Sequence, residues 1–198
     1  MMSKLIASRS VSQRLALMTM LAVLTGCATV TMPAPAPSAA NAEKLRAAKL
    51  APAQLGKFAL AAGKPAQMDT TLGGLRGSSV KPASGSFANQ LRDEIAAELT
   101  AAGLLDTKSK NVIEGQLTDS MVDAAIGTGK GRLAARIQVK RDGQTLFDKE
   151  IVAEATWESS FVGAIALPAA INQYGALYKT LVGKLFDDVE FRRALASQ

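Results

Sequence analysis

One thiol, Cys27, and no histidine in 198 residues narrow the chemistry of this chain before any element is placed. Without imidazole, Ser-His-Asp and Cys-His nucleophile systems and histidine-ligated zinc are excluded. With a single thiol, intrachain disulfides and thiolate metal clusters are excluded as well. Carboxylate, lysine and Ser-Lys chemistry remain, and Thr107-Lys108-Ser109-Lys110 lacks the pattern of a Ser-x-x-Lys pair. Glu94 and Glu98 stand one helical turn apart, a spacing that suits paired carboxylates, but with Arg92 and Asp93 beside them they read as a solvated helix face. Gly127-Thr128-Gly129-Lys130-Gly131 invites a phosphate-loop reading and lacks its parts. Ala124 stands at the leading glycine's position, Gly131 replaces the Ser or Thr after the lysine, and a strand follows where a helix is needed. It reads as a flexible strand connection. Tyr174 and Tyr178 are spaced for ligand stacking, yet they lie on an apolar helical stripe that reads as core. Asp187-Asp188 reads as a helix break that caps the next turn, with no further acids to make a calcium site. No catalytic residue, metal ligand or cofactor is expected.

Cys27 itself has an informative context. Lys4, Arg9 and Arg14 precede a largely apolar run from Leu15 to Leu24, and small residues stand before the cysteine, the order of a secretory signal peptide. The run is about half the roughly 20 residues that a membrane-spanning helix needs. Leu24-Thr25-Gly26-Cys27 resembles the bacterial lipobox. That resemblance implies cleavage between Gly26 and Cys27, a diacylglycerol on the Cys27 thiol and an acyl chain on the new amine. Two or more chains make stable anchoring out of marginal membrane binding. By the sorting rule of the class, Ala28 in place of Asp implies the outer membrane, with the chain facing the periplasm. Loss of residues 1–26 lowers the formal charge from +6 to +3, because Lys4, Arg9 and Arg14 leave with no acid. So mild a surplus, spread along the chain, is no footprint for nucleic acid.

The elements follow from periodicity. Residues 27–55 form a lipidated end, a Pro- and Ala-rich tether around Pro33, Pro35 and Pro37, and a short helix over Asn41 to Leu50 that Pro52 stops. Residues 56–198 make one domain by length. A strand is expected over Gly56 to Ala61, then a long Gly-, Ser- and Pro-rich loop from Gly63 to Gly85 that either covers a face or fits a partner. Ser86 caps a helix carrying Phe87, Leu91, Ile95 and Leu99, and Gly103 ends it. Val112 to Val122 reads as a strand with Ile113, Gly115, Leu117 and Met121 on one face. Leu133 to Val139 and Phe147 to Trp157 alternate as a hairpin. Parity requires a three-residue Arg141-Asp142-Gly143 loop, placing Ile137 opposite Phe147 and Arg136 opposite Asp148. Pro168 opens the last helix. Between hairpin and helix, Trp157, Phe161, Val162 and Ile165 either form a partner surface or tuck under the sheet with Leu167.

The order β-α-β-β-β-α implies an α+β domain: a mostly antiparallel sheet of about four strands with two main helices on one face. In that order and in its lipobox, the chain resembles small envelope lipoproteins of Proteobacteria, those similar to YajG and the auxiliary lipoproteins of ABC-type transport systems. The resemblance implies a non-enzymatic interaction module in envelope assembly or transport, with an envelope protein as partner. The alternatives are a binding protein for a small ligand, lipid or glycan, and a carboxylate-based hydrolase.

Overall fold

The computed structural model describes residues 28–196; Gly26, Cys27 and the signal-peptide segment lie outside the described residues. The elements run β1 (Thr29–Thr31), α1 (Ala39–Ala47), β2 (Gln54–Leu60), α2 (Gln67–Thr70), β3 (Leu72–Leu75), β4 (Ser78–Lys81), α3 (Phe87–Ala102), β5 (Asn111–Asp123), β6 (Gly127–Arg141), β7 (Gln144–Ser159), α4 (Gly163–Asp187) and α5 (Val189–Ala194). The α+β class stands, but the described residues form two mixed sheets and five helices where one mostly antiparallel sheet, two main helices and a short one over Asn41 to Leu50 are expected.

The main sheet has the order β2-β5-β6-β7. β5, β6 and β7 pair antiparallel, and β2 pairs parallel with β5 because α3 crosses over between them. α4 lies against β6 and β7, and α3 against β2 and β5. Ile113, Leu117, Leu133, Ile137 and Val139 point from the sheet into the core beneath these helices. α3 forms as its caps dictate: Ser86 Oγ accepts from Asn89 N at 3.1 Å, and Gly103 closes the helix with φ 74°. A cap of this kind contributes about 1 kcal/mol.

The β6–β7 hairpin corrects the expected loop. Asp142 and Gly143, with φ of 49° and 81°, make a two-residue turn between Arg141 and Gln144. Parity is restored by a bulge: Lys140 pairs with Thr145 and Val139 with Phe147, leaving Leu146 as the extra residue. Faces match as expected, but the register is two residues from the expected one, so Ile137 faces Lys149 and Arg136 faces Glu150. Arg136 still reaches Asp148 diagonally, with Nε 2.5 Å from Oδ1. A second bulge, at Thr118 in β5, overturns the expected position of Met121. Beyond it Ser120 and Val122 turn inward and Met121 is exposed. Ser120 Oγ thereby meets Tyr174 OH at 2.5 Å, inside a cluster where Phe87, Tyr174 and Tyr178 pack edge to face. The two tyrosines are core.

The Gly63–Gly85 stretch is ordered, not an open loop. It holds α2 and the β3–β4 hairpin, whose two-residue turn is Arg76-Gly77 with φ of 50° and 86°. β4 pairs on its other side with β1, in parallel, giving a second sheet of order β1-β4-β3. Residues 28–38 run along the domain. Ser79 N donates to Ala28 O at 3.0 Å and Met32 N to Lys81 O at 2.9 Å, and Met32 is buried. Among the described residues, no helix is long and apolar enough to cross a membrane.

Candidate functional site

Two features have the makings of a site. The first is an apolar tip where β5 turns into β6 and β7 leads into α4. Ile126 sits in the first of these connections, next to Gly127, which pairs with Ser159 at the end of β7. Phe161 is 79% exposed, Ile126 71%, Ile165 62% and Val162 38%. Trp157, expected beside them, is half-buried and packs on the core. Leu167 also packs there, so the segment divides: Phe161, Val162 and Ile165 face out, and Trp157 and Leu167 face in. α4 starts five residues earlier than expected, so Pro168 lies inside it and Ile165 is on its first turn.

Arg76, which sequence reasoning passed over, builds this tip. From the β3–β4 turn its guanidinium donates to four neutral oxygens: Ala124 O at 2.6 Å, Ser160 O at 2.6 Å, Phe161 O at 3.1 Å and Ser159 Oγ at 3.1 Å. Hydrogen bonds from a charged donor are about twice as strong as neutral ones. They hold the Ser159–Phe161 backbone against the small sheet while the Phe161 side chain stays in solvent.

The glycines of Gly127–Gly131 belong to β6 itself: Gly127 takes a left-handed φ of 86°, and Gly129 and Gly131 leave room for neighbouring side chains. A Cβ on Gly129 would fall inside the Trp157 indole, which lies across the strand over Gly129 and beside Gly131. Gly129 needs no unusual φ, so Gly129→Ala acts on the indole alone. It is expected to lower stability by about 1–3 kcal/mol and to shift fluorescence to the red, a direct readout because Trp157 is the only tryptophan. Unchanged emission would show that the ring does not depend on the bare backbone.

The second feature is a cleft of about 330 Å³ between α3, α4 and the Met32–Ala36 segment, lined by Gln90, Glu94, Ile171 and Lys179 among others. Glu94 and Glu98 are buried here, contrary to a solvated face, because α1 and the segment before it cover that side of α3. Glu98 Oε1 accepts from Ser38 N at 2.9 Å and from Asn41 Nδ2 at 3.1 Å, so it ties down the start of α1. Gln90 Nε2 donates to Pro33 O at 3.1 Å. Gln90 Oε1, Glu94 Oε1 and Glu98 Oε2 have no hydrogen-bond partner. Burial pushes the Glu94 carboxyl up to about 7; Lys179 opposes the rise and Glu98 adds to it. A carboxyl in that state gives or takes a proton near neutrality, but Glu98, the acid that adds to its shift, is committed to α1.

Ser78-Ser79-Val80-Lys81 has Ser-x-x-Lys spacing, but it lies on β4, where positions three apart point to opposite faces. Asp188 behaves as expected, accepting from Glu190 N and Phe191 N to start α5. Among the described residues no three His, Cys, Asp or Glu side chains gather for a metal ion.

No family model and no curated protein matches the chain. Solved structures do. The chain is similar to the crystal structure of a Xanthomonas campestris protein of family DUF330, with a TM-score of 0.53 and 13% identity over 80% of this chain and 94% of that one. The likeness is one of fold. A minor lipoprotein from Acinetobacter baumannii has a TM-score of 0.43 and 12% identity, covering 73% of this chain and 96% of that one.

Proposed function

We propose that this chain is a lipid-anchored envelope lipoprotein at the periplasmic face of the outer membrane, serving as a non-enzymatic interaction module in envelope assembly or transport. The observation that carries the reading is Cys27, the only thiol, at the end of a lipobox-like sequence. The arrangement of the domain supports it. Helices cover one face of the main sheet, and the other presents paired charges such as Arg136 with Asp148 and Lys140 with Glu114, a broad polar face suited to a protein partner. The buried acid Glu98 serves structure, accepting from Ser38 N and Asn41 Nδ2 at the start of α1. A second reading, a receptor for a small ligand, lipid or glycan, draws on the cleft beneath Met32–Ala36 and its unpartnered oxygens.

Cys27→Ala is expected to abolish incorporation of labelled palmitate and to leave residues 1–26 attached, read by the mass of the purified protein. A variant that is still cut before residue 27 and still acylated would sink the anchoring half of the proposal. In-cell photocrosslinking from Gln116 and Glu150, both exposed on the open sheet face, tests the other half. A discrete adduct with one envelope protein is expected, and its absence from both positions counts against the interaction module.

A further inference from the structure

We infer that Ile126, Phe161, Val162 and Ile165 enter the interface of the bilayer that holds Cys27, so that the domain lies on the membrane by its apolar tip. The inference rests on the lipid-anchor reading and adds an orientation to it. The composition of residues 28–40 suggests a leash that would let the domain stand tens of ångströms away. The hydrogen bonds take that slack out. Ala28 O accepts from Ser79 N at 3.0 Å, and Thr29, Val30 and Thr31 are in register with Ser79, Val80 and Lys81. Cys27 is bonded to Ala28, so its Cα stays about 3.8 Å from the Cα of a residue stitched to β4. Acyl chains on Cys27 would therefore hold the β1-β4-β3 sheet itself at the membrane surface.

From Ser79 the chain reaches Arg76 in three residues, at most about 11 Å. Arg76 grips Ser160 O and Phe161 O directly, at 2.6 and 3.1 Å. The anchor point and the tip are thus two ends of one turn. Gly127 and Ser159 pair across the strands, which sets Ile126 and Phe161 at the same end of the sheet. The tip has the composition a lipid interface selects: large apolar side chains in solvent, and no charged residue from Ser159 through Tyr178. Asp123, paired with Lys130, and Glu158, paired with Thr128, stand just behind it and limit entry to the tip. A protein partner seated on Phe161 would have to occupy the space that the short anchor gives to the bilayer. That favours lipid.

The test uses the full-length lipoprotein, whose acylated Cys27 leaves a new thiol unique. Phe161→Cys and Ile165→Cys, with Gln116→Cys on the open sheet face as reference, are labelled with an environment-sensitive fluorophore and reconstituted into phosphatidylethanolamine and phosphatidylglycerol vesicles. The mass of the N-terminal peptide is measured on the same samples. Labels at 161 and 165 are expected to shift to the blue and to be roughly twofold or more better protected from iodide than the label at 116, with quenching by nitroxide-bearing lipids. If the peptide is acylated and all three labels are equally open to iodide, the tip does not enter the membrane and the inference falls. If the peptide is not acylated, the anchor reading falls and takes this orientation with it. In cells, a photoreactive residue at 161 should yield lipid adducts; a discrete protein adduct there would assign the tip to a partner and overturn the inference.

Discussion

Gly74→Ala is expected to destabilise the domain by about 3 kcal/mol or more, and Gly77→Ala, three residues on, by only about 1–2 kcal/mol. Both glycines have a left-handed φ, 81° at Gly74 and 86° at Gly77, so both variants carry the backbone cost of an L-residue in that region. They differ in space. A Cβ on Gly77 meets nothing within 4 Å, whereas one on Gly74 would stand far inside van der Waals contact distance of the Val122 carbonyl oxygen. That oxygen cannot move aside as a flexible side chain would. Val122 is in β5, paired to β6 through Gly131 within a continuous ladder. Relief must come from β3, and β3 is held to the main sheet by Ala124 N donating to Gly74 O at 2.8 Å. The small sheet should therefore loosen, and with it β1 and the Arg76 grip on the tip. Denaturant unfolding measures the difference between the two variants. Amide exchange at Val80 and Met32 should speed up in Gly74→Ala and much less in Gly77→Ala. Equal losses in both would mean that the contact with Val122 carries no weight.

The parts of this fold that were legible in the sequence are those set by neighbours in the chain. The cap at Ser86, the left-handed Gly103 and the Asp188 break follow from local hydrogen bonding, and each is observed. Alternation found β5, β6 and β7 but not their bulges, because an extra residue changes which side chains face inward without changing the composition of the strand. Leu146 and Thr118 are those residues. The small sheet was illegible for a different reason. β3 and β4 have four residues each, too few for a period to register, and β1 acquires its partner only through a pairing fifty positions away. Of the candidate surface, the uncharged run through Phe161 and Ile165 was visible as composition. Ile126 and Arg76 were not, since what they contribute depends on where β3–β4 docks. Glu94 and Glu98 show the same limit. On α3 alone they form a polar stripe, and only α1 and residues 32–36, folding over it, convert that stripe into buried acids.

Glu94 gives the second large effect, and it is a dependence on pH. Its carboxyl titrates near 7 in the folded chain against an ordinary value of 4.5, with burial as the main cause. Between those two values the folded protein keeps a proton that the unfolded chain has released, so unfolding free energy must fall as pH rises. The loss begins near pH 4.5 and is complete somewhat above 7, for a total of about 3 kcal/mol. Few other groups compete in that window. The chain has no histidine, and Asp148, held low by Arg136, and Asp188, held low by Lys149 and the α5 amides, titrate below it and in the opposite sense. Glu94→Gln keeps the shape of the side chain and removes the titration. The variant should unfold with nearly constant free energy from pH 5 to 8 and should exceed the parent protein at pH 8, while matching it near pH 4.5. A parent protein whose stability is level or rising across the same range would show that Glu94 is ionised at neutrality, with Lys179 outweighing the cost of burial.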